Sequence, residues 1–433
     1  MRAFKDSGID WLGEIPEHWE MVKGSFLFSN KKELNSNFQC KTRLALTLSG
    51  VIEKDIEQNF GLNPLDFRTY QIFNCDDLVF KLIDLDNVNT SRVGYVYKKG
   101  IMSSAYIRLI PKEKSYSKYF YYFYYSLYVK QIFNNIGTGV RSTLNADELL
   151  SIKIPLPPLE EQKRIADFLD SKCKQIETFC EKKQKLITLL NEKKQSLINE
   201  CVTKGLDKNV NFKDSGIEHL GEIPQHWEIK KLKYLVSLQN QKGSNGDYSC
   251  YTKFPLCYSM CSEESKKNNM SFRIGLENIE SKTGKYIPTN EVAFEEDGII
   301  FEKGDILFGK LRPYLAKVFL ADRSGICVSE FLVLRTSRAD NNFLKFLMLS
   351  PSFIDIVDSS TYGTKMPRAS WEFIGNLKIP LPPLKEQEQI AQFLDSEISK
   401  IDKIIEKTKK QIKLIKEYKT TLINQAVCSR ISL

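Results

Sequence analysis

Two pairs of repeated segments constrain the fold of this chain more than any other feature of its sequence. The first pair is residues 4–20 (FKDSGIDWLGEIPEHWE) and residues 212–228 (FKDSGIEHLGEIPQHWE). The second pair is residues 153–170 (KIPLPPLEEQKRIADFLD) and residues 378–395 (KIPLPPLKEQEQIAQFLD), and the similarity continues into the helical pattern that follows each copy. Duplication on this scale indicates that the 433-residue chain holds two copies of one structural unit.

The segments between the repeats, about residues 21–150 and 229–377, are not visibly repeated. In each of them short β-like runs bounded by Asn, Asp and Gly turns come first, and a helical run follows. We therefore expect an α+β fold with two globular, mixed α/β domains, in which one scaffold carries two different surfaces. The segments predicted to contain strands are 76–85, 92–97, 103–110, 271–280, 304–320 and 326–335, and the predicted helices are 116–133 and 341–357.

A proline run opens a long helix in each half. The prolines force extended backbone, and the acidic side chains that follow favour a helix N-terminus. Each helix runs for about 40 residues, or roughly 60 Å. Each carries one apolar stripe with coiled-coil spacing, so we expect the two helices to pack as an antiparallel pair. The stripe residues are Ile165, Leu169, Cys173, Ile176, Cys180, Ile187, Leu190, Leu197 and Cys201 in the first helix, and Ile390, Leu394, Ile398, Ile401, Ile405, Ile412, Ile415, Leu422 and Ala426 in the second. Four polar residues interrupt the stripes: Lys183, Lys194, Thr408 and Lys419.

The opening repeat places apolar anchors around two turns and ends at Trp19 in one copy and Trp227 in the other. This pattern predicts a short turn that packs its tryptophan and then leads into a strand. A helix precedes the second copy but not the first, so the predicted partner of the first copy is the C-terminal helix. That contact would give the chain a pseudo-two-fold internal repeat.

Composition and charge narrow the class of protein. The formal net charge of +9 favours an anionic partner, although charge alone does not identify nucleic acid. No apolar run approaches the ~18 residues of a membrane span, and the aromatic run at residues 119–129 is predicted to be a buried helix. The first residues lack the apolar core of a signal peptide, so we expect a cytoplasmic protein.

The cysteines do not have the spacing of a metal site. The ten cysteines include no C-x2-C pair. Cys250, Cys257 and Cys261 come closest, and no histidine follows them within a hundred residues to complete a zinc site. We expect buried thiols and no bound metal.

The histidines and the motif content predict a protein without catalytic activity. His18 and His226 occupy the same position of the opening repeat, and His219 aligns with Trp11. A position that accepts either histidine or tryptophan is typical of packing. The chain has neither a phosphate loop nor a G-x-G-x-x-G motif.

Basic residues among glycines and small polar residues occur at corresponding places in both middle segments. Glycine allows the backbone to approach a phosphate closely, hydroxyl groups donate to it, and arginine reads guanine through two hydrogen bonds. A solvated loop is the alternative, but the occurrence of both runs just before a proline run favours DNA binding. The predicted DNA-binding residues are Lys81, Arg92, Thr138, Arg141 and Thr143 in the first half, and Lys310, Arg312, Tyr314, Thr364, Lys365 and Arg368 in the second.

With these segments the chain resembles the specificity subunit of a type I restriction-modification system. The repeated IPLPP-to-helix junction, the repeated GIxxLGEIPxHWE segment and the run GDILFGKLRPYLAKV (residues 304–318) carry the resemblance, which covers essentially the whole chain. The first half departs from it with DDLVFKLIDLD, which lacks the Arg-Pro pair. The resemblance implies two target-recognition domains, 1–158 and 206–383, separated by two antiparallel coiled-coil spacer helices, 159–205 and 384–433.

The resemblance also implies the partners. Each domain would read one half of a split, asymmetric site in double-stranded DNA. Two methyltransferase subunits and ATP-dependent restriction subunits would perform the chemistry with S-adenosylmethionine, ATP and magnesium, and this subunit would hold no cofactor. Two alternatives remain open: the recognition part of a type II enzyme that cuts outside its site, and a coiled-coil assembly adaptor that binds no nucleic acid.

Overall fold

The structure is a computed structural model in which the chain divides into two compact units. Unit 1 comprises Met1–Gln184 and Lys409–Leu433, and unit 2 comprises Lys185–Thr408. The unit boundaries fall inside the two long helices, so each unit contains one globular part and a portion of both helices. The structure describes residues 3–54, 67–83, 85, 91–136, 143–218, 220–243, 272–289, 298–361, 363, 366–428 and 430–431.

Unit 1 begins with short strands and ends in the first long helix. In chain order the elements that begin in it are β1 (Phe4–Asp6), β2 (Glu14–Pro16), β3 (Glu20–Lys23), α1 (Gly24–Leu27), β4 (Phe28–Ser29), β5 (Arg43–Thr47), β6 (Gly50–Lys54), β7 (Gln71–Phe73), β8 (Leu78–Phe80), β9 (Val93–Tyr95), β10 (Gly100–Met102), β11 (Ile107–Pro111), α2 (Ser117–Val129), α3 (Ile132–Ile136), α4 (Ala146–Ser151), β12 (Lys153–Leu156) and α5 (Leu159–Lys204).

Unit 2 repeats this order of elements, except that a 3-10 turn stands in the place of α1. They are β13 (Phe212–Asp214), β14 (Glu222–Pro224), β15 (Glu228–Lys231), β16 (Val236–Gln239), β17 (Lys242–Gly243), β18 (Arg273–Ile274), β19 (Gly298–Phe301), β20 (Ile306–Gly309), β21 (Val318–Leu320), β22 (Gly325–Cys327), β23 (Phe331–Thr336), α6 (Asn341–Leu349), α7 (Pro351–Ser359), α8 (Trp371–Asn376), β24 (Lys378–Leu381) and α9 (Leu384–Val427).

The two units share the strand order of their antiparallel sheet, whereas the fourth strand of the second sheet lies at a different edge in each unit. An antiparallel sheet has the order β4-β11-β8-β9 in unit 1 and β16-β23-β20-β21 in unit 2. The second sheet, β6-β5-β10-β7 or β17-β19-β22-β18, contains one parallel pair in each unit, β10 with β5 and β22 with β18. The strands β8 and β20 are buried along their whole length, as expected for apolar, partly β-branched segments with a neighbour on each side. The predicted mixed α+β fold is confirmed, and the middle segments are repeats in structure although not visibly in sequence.

An aspartate closes the turn before each buried strand. Asn74 donates its backbone N–H to Asp77 Oδ2 at 2.7 Å, and Glu302 donates to Asp305 Oδ2 at the same distance. These contacts match the DDLVF run of the first half to the GDILF run of the second. The correspondence predicted for these two runs is therefore found in the structure.

The opening repeat is fixed to the start of the long helix in its own unit. Trp19 is fully buried, and its Nε1 donates to Glu161 at 3.0 Å, while His18 Nε2 lies 2.9 Å from the same carboxylate. The second copy repeats both contacts at Glu386, with distances of 3.1 Å and 2.8 Å. The histidine and the tryptophan thus hold the repeat in place, in agreement with a structural and not a catalytic role for this histidine.

The first copy of the opening repeat also packs on the C-terminal helix, as predicted. Leu12 and Ile15 share a buried cluster with Leu422 and Ala426, and a guanidinium nitrogen of Arg430 donates to Leu12 O at 3.0 Å. In unit 2 the second copy packs in the same way on the end of α5. Each copy therefore contacts the start of one long helix and the end of the other.

The long helices are an antiparallel pair. α5 has 46 residues and α9 has 44, about 69 Å and 66 Å at 1.5 Å per residue. In unit 1, Lys419 Nζ lies 2.7 Å from Glu177, and in unit 2, Lys194 Nζ lies 2.9 Å from Asp402. The four residues are one ion pair in two copies, because each residue is 225 positions from its counterpart. Two of the interruptions of the apolar stripe are thus interhelical contacts.

The two helices predicted for the middle segments are each broken. The first, predicted at 116–133, is interrupted where Gln131 has a φ of 57°, so that α2 and α3 are separate. The second, predicted at 341–357, is divided into α6 and α7 at Ser350. Pro351 lacks an N–H and starts α7, and the Ser350 hydroxyl caps it.

The aromatic run forms a buried helix, as predicted. Tyr119, Phe120, Phe123 and Tyr124 on α2 are fully buried in the core of unit 1. Their rings make edge-on contacts with one another and with Phe28, the geometry that aromatic quadrupoles favour. Among the residues that the structure describes, no helix combines the length and the apolar character needed to cross a membrane.

Candidate nucleic-acid interface

Three predicted residues of unit 2, Lys310, Arg312 and Tyr314, lie on the turn that follows β20. Arg312 has φ 51° and ψ 66°, and Ala316 has φ 47°. This left-handed conformation costs a residue other than glycine about 1–2 kcal/mol, and a bond of 2.8 Å from Arg312 N to Pro367 O helps to hold it. The side chains of Arg312 and Tyr314 are exposed. Backbone strain that is held in place beneath exposed side chains is a common feature of functional sites.

Arg368, another predicted residue of unit 2, lies beside this turn. Leu311 and Arg368 form an antiparallel bridge, and Ala369 N donates to Lys310 O at 2.9 Å. The structure therefore brings Arg368 next to the turn of Arg312, although the two are far apart in the sequence. We call this pairing of the two segments the junction of unit 2.

The guanidinium group of Arg368 is held by Glu330, which the sequence did not indicate. Arg368 Nε and a terminal nitrogen donate to the two carboxylate oxygens of Glu330 at 3.2 Å and 2.9 Å. The carbonyl oxygen of Glu330 accepts a bond of 3.0 Å from Lys310 N, which ties it to the turn. Because the arginine side chain is 41% exposed and the glutamate 26%, the pair adds little stability. Its main effect is to fix the orientation of a planar, five-donor group.

Unit 1 has the same junction with different side chains. Leu144 N donates to Leu82 O at 3.1 Å, the counterpart of the Ala369 bond in unit 2. Thr143, a predicted residue, therefore takes the place of Arg368 and is half-buried. The two units share this backbone hydrogen bond, but they carry different side chains next to it.

Arg92 is placed inside unit 1 and not on its surface. It is 1% exposed, and a terminal nitrogen donates to Ile83 O at 3.2 Å. Its carbonyl accepts from Lys81 N at 3.0 Å, and Lys81 is half-buried. Lys317 takes the place of Arg92 in unit 2 and also donates to a backbone carbonyl, that of Leu276, while burial lowers the pKa of its ammonium group. This burial favours a structural role for Arg92 over contact with DNA.

Four predicted residues, Thr138, Arg141, Thr364 and Lys365, lie outside the residues that the structure describes. Their role in DNA binding stays a prediction. The same holds for the place of His219 in the fold.

The described cysteines are free thiols. Burial raises the pKa of Cys201 to about 11 and that of Cys327 to about 12, which makes these thiols unreactive at neutral pH. In the described part of the chain, no group of His, Cys, Asp and Glu side chains could hold a metal ion. Cys40, Cys173, Cys201, Cys327 and Cys428 are buried, whereas Cys75 is exposed, and Cys250, Cys257 and Cys261 fall outside the described residues.

Two units that present different side chains on one framework define a recognition protein with two binding domains. The family model described as "Type I restriction modification DNA specificity domain" matches residues 55–188 and 224–414, which is more than half of the chain. The chain belongs to this family. It is a DNA sequence-recognition subunit of a type I restriction-modification system, and it is not itself the catalyst.

Individual relatives support the family assignment. The chain is 30% identical over 356 residues to the MjaVIII specificity subunit of Methanocaldococcus jannaschii, an alignment that covers 80% of this chain and 77% of that protein. It is 25% identical over 444 residues to the putative MjaX specificity subunit of the same organism, covering 97% and 95%.

Two solved structures share the fold. A chain from a study of complex assembly and conformational transition of the type I system superposes with a TM-score of 0.68 at 13% identity and covers 95% of this chain and 98% of that one. The crystal structure of the HsdS subunit from Thermoanaerobacter tengcongensis gives a TM-score of 0.51 at 14% identity, covering 96% and 98%. At such low identity the likeness establishes the fold and nothing further.

Proposed function

We propose that unit 1 and unit 2 each read one half of a bipartite, asymmetric site in double-stranded DNA. The observation that carries this proposal is the junction, which both units build with the same backbone bond. Thr143 in one unit and Arg368 in the other are the side chains that it presents. One framework with two chemistries is what a protein needs to read two different half-sites.

In unit 2 the reading surface is made of Lys310, Arg312, Tyr314 and Arg368. In unit 1 it includes Thr143 and the neighbouring half-buried Lys81, together with Thr138 and Arg141. Ammonium and guanidinium groups neutralise backbone phosphates, and arginine also reads guanine in the major groove.

The chemistry of the complex belongs to its partners. Two methyltransferase subunits carry S-adenosylmethionine, and restriction subunits use ATP and magnesium for translocation and cleavage, while this chain holds no cofactor. Membership in a family of DNA specificity subunits supports partners of this kind. A type II enzyme that cuts outside its site would use the same DNA reading with different partners.

The experiment is to co-express the chain with the methyltransferase and restriction genes next to its own and to map modified bases in the host genome. We expect the subunits to co-purify and to methylate one motif with two different specified halves and unspecified bases between them. Loss of that motif on deletion of this chain is the control. A contiguous palindromic motif would contradict the proposal, and co-purification with a fused nuclease-methyltransferase alone would place the chain in a type II enzyme.

A further inference from the structure

The junctions of the two units differ at two corresponding positions. The paired strands β23 and β20 align with β11 and β8, and this alignment places Ala105 where unit 2 has Glu330. The shared backbone bond places Thr143 where unit 2 has Arg368. The glutamate and the arginine of unit 2 are thus replaced together by two side chains that carry no charge.

We propose that Arg368 reads a guanine in the half-site of unit 2 and that Glu330 is the positioning residue that aims it. This inference deepens the proposed function and rests on it. Arginine pairs with guanine through two parallel bonds to O6 and N7, which requires the plane of the guanidinium group to be set correctly. Glu330 engages the Nε side of Arg368. The edge formed by the two terminal nitrogens has the geometry that O6 and N7 accept.

Preorganisation is the physical reason for the second residue. An arginine side chain loses rotamer entropy when it is fixed. A pair that is already formed in the protein removes most of that loss from the binding step. Glu330 is itself fixed through its backbone bond to Lys310, so the arginine is aimed relative to the strained turn that carries Arg312.

Unit 1 cannot make this contact, because Thr143 offers one hydroxyl group and Ala105 offers no carboxylate. A guanine read through both O6 and N7 by this position therefore belongs to only one half-site. The difference between the two half-sites is assigned in part to these two positions.

The test uses the assembled complex of the full chain with its methyltransferase and a duplex that carries the mapped motif. Each guanine of the motif is replaced in turn by 7-deazaguanine, which keeps Watson–Crick pairing and lacks the N7 acceptor. We expect the wild-type complex to lose about 10-fold in affinity at the guanine that Arg368 reads. Arg368→Ala should weaken binding of the unmodified motif by about 10- to 100-fold and abolish the 7-deaza penalty at that one guanine. If Arg368→Ala keeps the wild-type penalty at every guanine, the arginine assignment is wrong.

Glu330→Gln tests the positioning role, because it keeps the size of the side chain and removes its charge. We expect the penalty at the same guanine to shrink by about 3- to 10-fold, with the unfolding temperature unchanged. Glu302→Gln is the matched control: it removes a carboxylate that pairs with Arg335 in the same unit and should leave the penalty intact. A Glu330→Gln complex that melts early and keeps the full penalty would show that Glu330 is only structural.

The proposed function and the role of Arg368 can be contradicted separately. A wild-type complex that binds the motif no better than a scrambled duplex would overturn the proposed function. A wild-type complex that is specific, but whose Arg368→Ala variant recognises the same guanine equally well, would overturn only this inference.

Discussion

Arg312 combines a left-handed backbone with an exposed guanidinium group. We predict that Arg312→Ala weakens DNA binding by about 1–3 kcal/mol if the side chain reads a base. Arginine and alanine have a similar energetic cost in the left-handed conformation, so the substitution should change the free energy of unfolding by less than about 0.5 kcal/mol. Binding to the mapped motif and thermal unfolding of the same preparation measure the two effects.

Arg323→Ala is the control for this prediction, because it removes the same charge from an exposed arginine of unit 2. It should lower affinity less, and equally for specific and non-specific duplexes. An Arg312→Ala protein that melts early and binds normally when folded would contradict the prediction.

At the scale of residues, the sequence indicated the type of side chain and not its surroundings. Lys310, Arg312 and Arg368 were predicted to bind DNA because basic residues next to glycines and prolines are visible in the sequence, and this role stays a prediction. Arg92 has the same chemistry, but its burial depends on how β9 packs against neighbouring strands. Glu330 was missed, because its pairing with an arginine 38 positions later is set by strand register.

The long helices offer an internal comparison, since one ion pair occurs in both units with different burial. In unit 2 the Lys194 side chain is 5% exposed and that of Asp402 is 17% exposed. In unit 1 the Glu177 side chain is 62% exposed. We predict that Asp402→Ala lowers the free energy of unfolding by about 3 kcal/mol, because it leaves a buried ammonium group without this carboxylate. Glu177→Ala should cost no more than about 1 kcal/mol.

Denaturant unfolding of the full chain measures both values, and equal losses for the two variants would contradict the comparison.

The pH dependence of stability gives a second test of the Asp402 ion pair. Burial acts to raise the pKa of Asp402, but hydrogen bonds from Lys285 and Lys194 outweigh it and hold the pKa below its ordinary value. A depressed carboxyl pKa stabilises the fold above the unfolded pKa of about 3.9 and loses that effect as the pH falls. The gap between wild type and Asp402→Asn should therefore be full at pH 7 and shrink below about pH 4.

Helix length should set the distance between the half-sites. We predict that seven residues inserted after Leu190 and after Ile415 lengthen each helix by about 10 Å and keep the apolar stripes nearly in phase. The unspecified spacer of the motif should then grow by up to about three base pairs at 3.4 Å each, with both half-sites unchanged. Modified-base mapping gives the spacer directly.

Two inserted residues are the control, because they rotate the stripe by about 200° and should abolish assembly with the methyltransferase. An active seven-residue variant with the original spacer would show that the helices serve for docking alone.

At the scale of elements, the sequence predicted the long helices from their strong periodicity, but it did not predict where the shorter helices are interrupted. The apolar stripes gave the antiparallel pairing of α5 and α9, because one buried face on each of two long helices has few other solutions. Lys194 and Lys419 were interpreted only as interruptions, although an acidic residue lies at Asp402 and Glu177 on the opposite helix. The breaks at Gln131 and between α6 and α7 depend on local turns that an apolar pattern does not show.

At the scale of the molecule, the duplication of the ends was visible in the sequence and the duplication of the middles was not. Short strands tolerate different side chains as long as the buried positions stay apolar, so the antiparallel sheet of each unit could diverge in sequence and keep its strand order. What remained in common is small, such as Asp77 and Asp305 before the buried strands. A backbone fold that tolerates such different sequences can carry different DNA-reading side chains on its surface.

Exchange of one middle segment tests the central claim, that each unit reads its own half-site. Residues 229–377 are replaced by the corresponding segment of a family member whose methylated motif is known to differ, and modified bases are mapped in cells that carry the chimera. Replacement of residues 21–150 is the reciprocal experiment. We predict that each chimera changes one half of the motif, a different half in each case, and leaves the other half and the spacer as they were. A chimera that assembles and methylates DNA but changes both halves, or neither, would contradict the account.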